Sequence, residues 1–214
     1  MMNKWEREIE RIYQRELLKA GTDISKAYAD MLTRFKKEGR DVLADPSNIT
    51  RTERYNAQRK AALEKRIMEI ARDANPEIRE ATKELTKNSG KLGYYGTQYA
   101  MENSVKTAIA MPKISLRYLN TVVTDKIDGK RFSERLYSDR EKMARLVSRA
   151  LVKGAEEGTG YRELAVRLEA ITEADMKHSY LIARTESKRT RSEMHKKAHQ
   201  EATNVGVQLM KEWV

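Results

Sequence analysis

The 214-residue chain contains three prolines, Pro46, Pro76 and Pro112. Apolar residues recur between them mostly at spacings of three and four. Proline removes a backbone donor and breaks a helix interior, so this scarcity together with that spacing predicts long amphipathic helices. Trp5, Ile9 and Ile12 begin one stripe, and Ile24, Tyr28, Met31 and Phe35 continue a similar one after Gly21. Thr50 and Glu53 form a capping box that opens a helix to about Asp73, and Asn75-Pro76 starts another. "KNSGKLGYYG" predicts a hinge over 87–96, followed by a helix from about Tyr94 to Ala110. Its tyrosines could stack on bases beside Lys87 and Lys91, or pack a loop onto a neighbouring helix.

Asp128-Gly129 suits a tight hairpin turn. A second capping box, Ser138 and Glu141, opens a helix with Met143, Leu146, Val147, Ala150 and Leu151 as its buried stripe. "EEGTG" closes that helix, and Leu164, Ala165 and Leu168 line the inner face of a short one. Thr172 and Asp175 cap a long helix to about Asn204, with Gly206 in the left-handed position after it. "VQLMKEWV" has the composition of a strand without a partner. The expected fold class is all-α, with room for a short terminal strand. The expected division is an extended helical arm over 1–120 and a C-terminal helical domain over 121–214.

With 43 Lys+Arg against 32 Asp+Glu, the formal net charge is +11. That balance suits a polyanionic partner or a charged helical surface that leans basic. No cysteine is present, which excludes disulfides and thiolate chemistry within these residues. No apolar run approaches the roughly 18 residues of a membrane span. The first residues alternate in charge and lack the apolar segment of a secretory signal.

Lys142, Arg145, Arg149 and Lys153 recur at spacings that place them in one row beside the apolar stripe of their helix. With Lys130 and Arg131 they are candidate contacts to a phosphate backbone. The alternative is a solvated flank whose long stems cover apolar surface. "ARLVSRALVKGAEEGTGYRELAVRLEAI" also has a helix-turn-helix outline, with only Arg162 suited to reading bases. His195 and His199 sit four apart on one helix face, but Lys196 stands where the zinc-protease pattern needs a glutamate. No metal site, cofactor or catalytic residue is expected.

"SYLIARTESKRT" sets Arg184, Thr185 and Glu186 side by side, and consecutive helical residues diverge by about 100°. On a helical wheel Ile182, Thr185, Glu186, Arg189 and Glu193 fall on one side, so Glu186 and Arg189 can pair. The stretch reads as a charge-paired packing seam. The "SER" turn, "G…YRELAVRL", "ARTE" and the closing "GV…W" together resemble the phage minor head proteins of the Mu F-like head morphogenesis family, from Gly129 to Trp213. Arg184, Thr185, Glu186, Arg189 and Trp213 carry that likeness as structural positions.

The resemblance implies a non-enzymatic virion component, assembled in the host cytoplasm near the portal. Its implied partners are the portal protein or capsid interior and non-specific double-stranded DNA during packaging or ejection, with self-association open. The alternatives are a helix-turn-helix DNA-binding regulator and a purely structural scaffold.

Overall fold

A computed structural model of the chain describes residues 4–44, 53–127 and 129–207, and the side chains of all these except 53–56. The protein is all-α. Its described residues form six helices: α1 (Lys4–Ala44), α2 (Glu53–Asp73), α3 (Asn75–Val105), α4 (Leu116–Thr124), α5 (Phe132–Glu157) and α6 (Tyr161–Asn204). The extended pairing found among them is the bridge between Ile127 and Lys130, closed by Gly129 at φ +77°. The expected strand and Trp213 lie outside the described residues, as do Thr50 and Asp128.

Several expected helix ends are interior to helices. The helix expected to start at Ser138 begins at Phe132, because Phe132 and Leu136 are buried and extend the stripe of Met143, Val147 and Leu151. Arg140 occupies a core position of that stripe and hides its continuity in the sequence. Likewise α6 does not restart at Thr172. Leu164, Leu168, Thr172, Asp175, Ser179, Ile182, Glu186, Thr190, Met194, Ala198 and Ala202 are all buried at helical spacing, so the buried face continues through polar residues. The Thr172 hydroxyl donates to the Leu168 carbonyl at 2.7 Å, which satisfies it inside the helix. Gly21 likewise lies within α1.

Two compact units interleave in sequence instead of falling on either side of residue 120. One takes 1–21, 81–132 and 182–214; the other takes 22–80 and 133–181. In the first, α1 runs antiparallel to both α3 and α6. Asn88 donates to Glu16 at 2.9 Å, and Arg191 donates to Glu10 at 2.8 Å.

The expected hinge over 87–96 is instead a close approach of two helices. A Cβ on Gly93 would stand 2.3 Å from the Arg191 carbonyl oxygen, so only glycine lets the α3 and α6 backbones meet there. Tyr94 and Tyr95 hold the segment after α3. Tyr94 donates to the Pro112 carbonyl at 2.7 Å, and the Tyr95 hydroxyl accepts from the Ile114 N–H at 3.2 Å. Between the two readings of these tyrosines, the contacts are those of loop packing.

In the second unit the end of α1 packs with α2, α5 and the start of α6. Phe35, Ile67, Val147, Leu151, Leu164 and Leu168 are wholly buried, and each such side chain contributes about 1.5–3 kcal/mol. Ion pairs rim this core: Arg34–Asp73 at 2.8 Å, Arg66–Glu38 at 3.1 Å and Lys60–Glu156 at 2.6 Å. Being mostly exposed, they add little. Among the described residues no helix is long and apolar enough to cross a membrane.

Candidate functional site

Some of the polar residues at core positions form hydrogen-bonded networks in each unit. In the second unit the Tyr28 hydroxyl donates to Asp175 Oδ2 at 2.6 Å and lies 2.8 Å from Ser179 Oγ. Arg140 donates through Nη2 to Ser179 Oγ at 2.8 Å, and its Nε lies 3.0 Å from Asp175 Oδ2. Its guanidinium also sits over the Tyr28 ring, 4.8 Å from the centroid. Because Tyr28 gives its proton to Asp175, Ser179 must donate to the Tyr28 oxygen, which orders the network in one direction.

Burial raises the Asp175 carboxyl above its ordinary value, opposed by Arg140 and by the Tyr28 hydrogen bond. Burial likewise pushes the Tyr28 phenol far up. Arg140 Nη1 has no hydrogen-bond partner. A shallow cavity of about 240 Å³ beside Arg140 is walled by Met68, Asn75, Tyr137 and Glu141. The network is closed to solvent, and its chemistry is that of a buried structural clasp.

In the first unit Ser187 donates to the Arg184 carbonyl at 2.9 Å and therefore accepts from the Tyr13 hydroxyl, also at 2.9 Å. The Arg191 guanidinium covers the Tyr13 ring at 4.6 Å. Burial alone would raise Glu10, but the Arg191 hydrogen bond, helped by Gln14, holds its carboxyl below the ordinary value. Glu186 is wholly buried and accepts from Arg189 Nε at 3.1 Å. Arg189 Nη2 donates to the Val122 carbonyl at 2.7 Å, in the last turn of α4 where carbonyls lack helical partners. Arg189 thus ties a buried carboxylate to a helix end. Arg184 and Thr185 are exposed, so Thr185 does not share the buried face of Ile182 and Glu186.

The candidate basic residues divide between the units. Lys142, Arg145, Arg149 and Lys153 all lie exposed on α5, beside the half-exposed Leu146. Lys142 pairs with Asp139 at 3.4 Å and Lys153 with Glu157 at 3.6 Å. Lys130 and Arg131 are exposed in the other unit.

In the first unit packing adds a residue to the histidine pair that the sequence marked. His195 Nδ1 lies 2.6 Å from Thr97 Oγ1, and the Nε2 atoms of His195 and His199 face each other at 3.0 Å. The i, i+4 spacing signalled the pair, whereas Thr97 is brought in by α3 through packing that no local pattern announces. An open groove of about 820 Å³ along the start of α1 is lined by Lys4, Trp5, Arg7, Glu8 and Arg11.

No family model matches the chain, and no solved structure matches it. The expectation of a non-enzymatic phage head protein that meets portal and DNA is overturned by a relative of a different kind, and with it the regulator and scaffold alternatives. Helical packing and basic charge are compatible with many activities, so they could not discriminate among these. The chain is 29% identical over 213 residues to a protein of Enterococcus faecalis named NAD(+)–arginine ADP-ribosyltransferase EFV, an alignment that takes in all of this chain and 44% of that protein's length.

Proposed function

We propose that the chain is the helical part of an NAD+-dependent arginine ADP-ribosyltransferase, a part that carries transfer chemistry to its arginine-bearing target. The observation that carries this reading is the end-to-end alignment with the named transferase. In the reaction the C1′–nicotinamide bond of NAD+ breaks, a guanidino nitrogen of arginine bonds to C1′, nicotinamide leaves, and one proton is released.

The test is made on the complete gene product that carries these residues, with NAD+ labelled in its adenylate. Nicotinamide and labelled guanidine should form in equal amounts. Unfolding the helical residues through Arg140→Met should reduce labelling of protein targets more than labelling of a free small guanidine. A gene product that neither releases nicotinamide nor labels arginine sinks the reading.

The likeness to the Mu F-like proteins over Gly129 to Trp213 stands in this proposal as one of architecture alone. It is supported by the α5–turn–α6 segment, which carries most of the quoted motifs. A solved Mu F-like structure without such a segment would end it.

A further inference from the structure

The histidines of "HKKAH" lie one turn apart near the end of α6, and the inner edge of the His195 ring is covered by Thr97 of α3. Three observations turn this ordinary spacing into a ligand set. The first is distance. Imidazole nitrogens bind late first-row divalent cations at about 2.0–2.1 Å. Two such bonds therefore place the nitrogens about 2.9 Å apart at a right angle and about 3.4 Å apart at the tetrahedral angle. The Nε2 atoms stand 3.0 Å apart, inside that window.

The second is the tautomer. The Thr97 hydroxyl gives its proton to the Gly93 carbonyl at 2.5 Å, so Thr97 Oγ1 accepts from His195 Nδ1 at 2.6 Å. His195 Nε2 is thereby left as a bare lone pair aimed at its partner. A hydrogen bond of this kind from the distal ring nitrogen is what orients and holds a metal-ligating histidine. Without a metal, His199 Nε2 donates into that lone pair. On metal binding, the His199 ring proton moves from Nε2 to Nδ1, and the cation takes its place between the rings.

The third is charge. The cations that flank the pair would oppose a metal ion, yet each is matched by a carboxylate. Lys196 pairs with Glu193 at 2.9 Å, Lys197 with Glu201 at 2.6 Å and Arg191 with Glu10 at 2.8 Å. At His195 the positive field of Arg191 is opposed by the smaller negative field of Glu6. Lys196, the sequence argument against a metal here, is therefore partly offset by Glu193.

We infer that His195 and His199, oriented by Thr97, form a two-histidine site for a late first-row divalent cation such as Zn(II), Ni(II) or Cu(II). Imidazole suits these ions. Among the described residues no group of three or more His, Asp or Glu ligands surrounds such an ion. Its other positions are open to water or to a further donor. The site holds one turn of α6 and, through Thr97, links it to α3.

Untagged protein titrated calorimetrically with zinc chloride and nickel chloride near neutral pH should bind one ion per chain. His195→Gln and His199→Gln should each weaken binding at least about tenfold. Thr97→Val should weaken it by a smaller factor, and His178→Gln should leave it unchanged. Far-UV circular dichroism of each variant checks that α6 survives. In the unaltered protein, Ni(II) should broaden the ring-proton resonances of His195 and His199 before those of His178, which reads the site without any substitution. No binding with metal in large excess, binding indifferent to both glutamine variants, or equal broadening of all three histidines would overturn the inference.

Discussion

The two units solve one packing problem with similar parts and different electrostatics. Each sets a tyrosine of α1 against a serine hydroxyl of α6 and lays an arginine over the tyrosine ring: Tyr13, Ser187 and Arg191 in one, Tyr28, Ser179 and Arg140 in the other. In the second unit the arginine is itself buried and meets a buried carboxylate, Asp175. In the first, Arg191 lies at the edge and meets the part-exposed Glu10. The same motif is thus a core clasp in one place and a rim contact in the other. The depth of the arginine decides how strongly the fold depends on it.

That contrast can be broken most severely at Arg140. Arg140→Met leaves Asp175 buried beside lost charge and should cost about 3–5 kcal/mol in urea unfolding. Adding Asp175→Leu should recover most of it, since an apolar pair of similar volume needs no desolvated charge. The matched change at the rim, Arg191→Met, should cost less than about 1 kcal/mol. Equal losses at the two arginines would erase the distinction between clasp and rim.

Next in size is the helix approach that the first unit builds on Gly93. Gly93→Ala puts a methyl 2.3 Å from the Arg191 carbonyl oxygen and should lower stability by about 1–3 kcal/mol. Thermal unfolding reads this directly, and a neutral substitution would mean the backbones are not that close. Arg189→Ala removes one partner from the buried Glu186 and one from the Val122 carbonyl. A loss of about 1–3 kcal/mol is expected.

Acid sharpens the comparison further. Burial, then His199 and Arg191, depress His195 against the opposing pull of Glu6, and burial depresses His199. For a histidine whose folded value lies below its unfolded one, the unfolded state binds more protons between the two. Stability is therefore present above about pH 6.5 and falls as pH drops through the folded values. Asp175 has the opposite sign, because its raised carboxyl favours folding at pH below its unfolded value and weakens it as pH rises past that point. His195→Gln with His199→Gln should flatten the urea midpoint between pH 7 and pH 5 if the first unit sets this slope, about the unperturbed histidine range. The smallest effect is expected on the exposed α5 row, where Arg145→Gln and Arg149→Gln should move stability by no more than about 0.5 kcal/mol.

Helix content was legible in the sequence because apolar spacing and proline scarcity are local signals. Helix limits were not, and the reason is specific. Arg140, Thr172, Asp175, Ser179 and Glu186 fill core positions, so the buried stripe looks interrupted wherever a polar residue carries it. Gly93 and Gly96 read as part of a flexible stretch because the residues that need their missing side chains, Arg191 and Ile9, are more than 80 residues away in sequence. The histidine pair was visible as spacing, but Thr97 and the carboxylates that partly offset its lysines and Arg191 belong partly to other helices. Charge and motif likeness pointed to a virion, and only the relative redirected that reading.

Helices α1, α3 and α6 each pass from one unit to the other in mid-helix, at residues 21–22, 80–81 and 181–182. A residue inserted into α6 just after Ile182 would turn every later side chain by about 100° relative to the buried Ile182 of the same unit. Glu186, Ser187 and Met194 would leave the core together, and Arg191 would leave Tyr13. Relatives that keep this fold are therefore free to diverge by substitution along these helices but scarcely by insertion or deletion, which belong instead in the segment between α3 and α4.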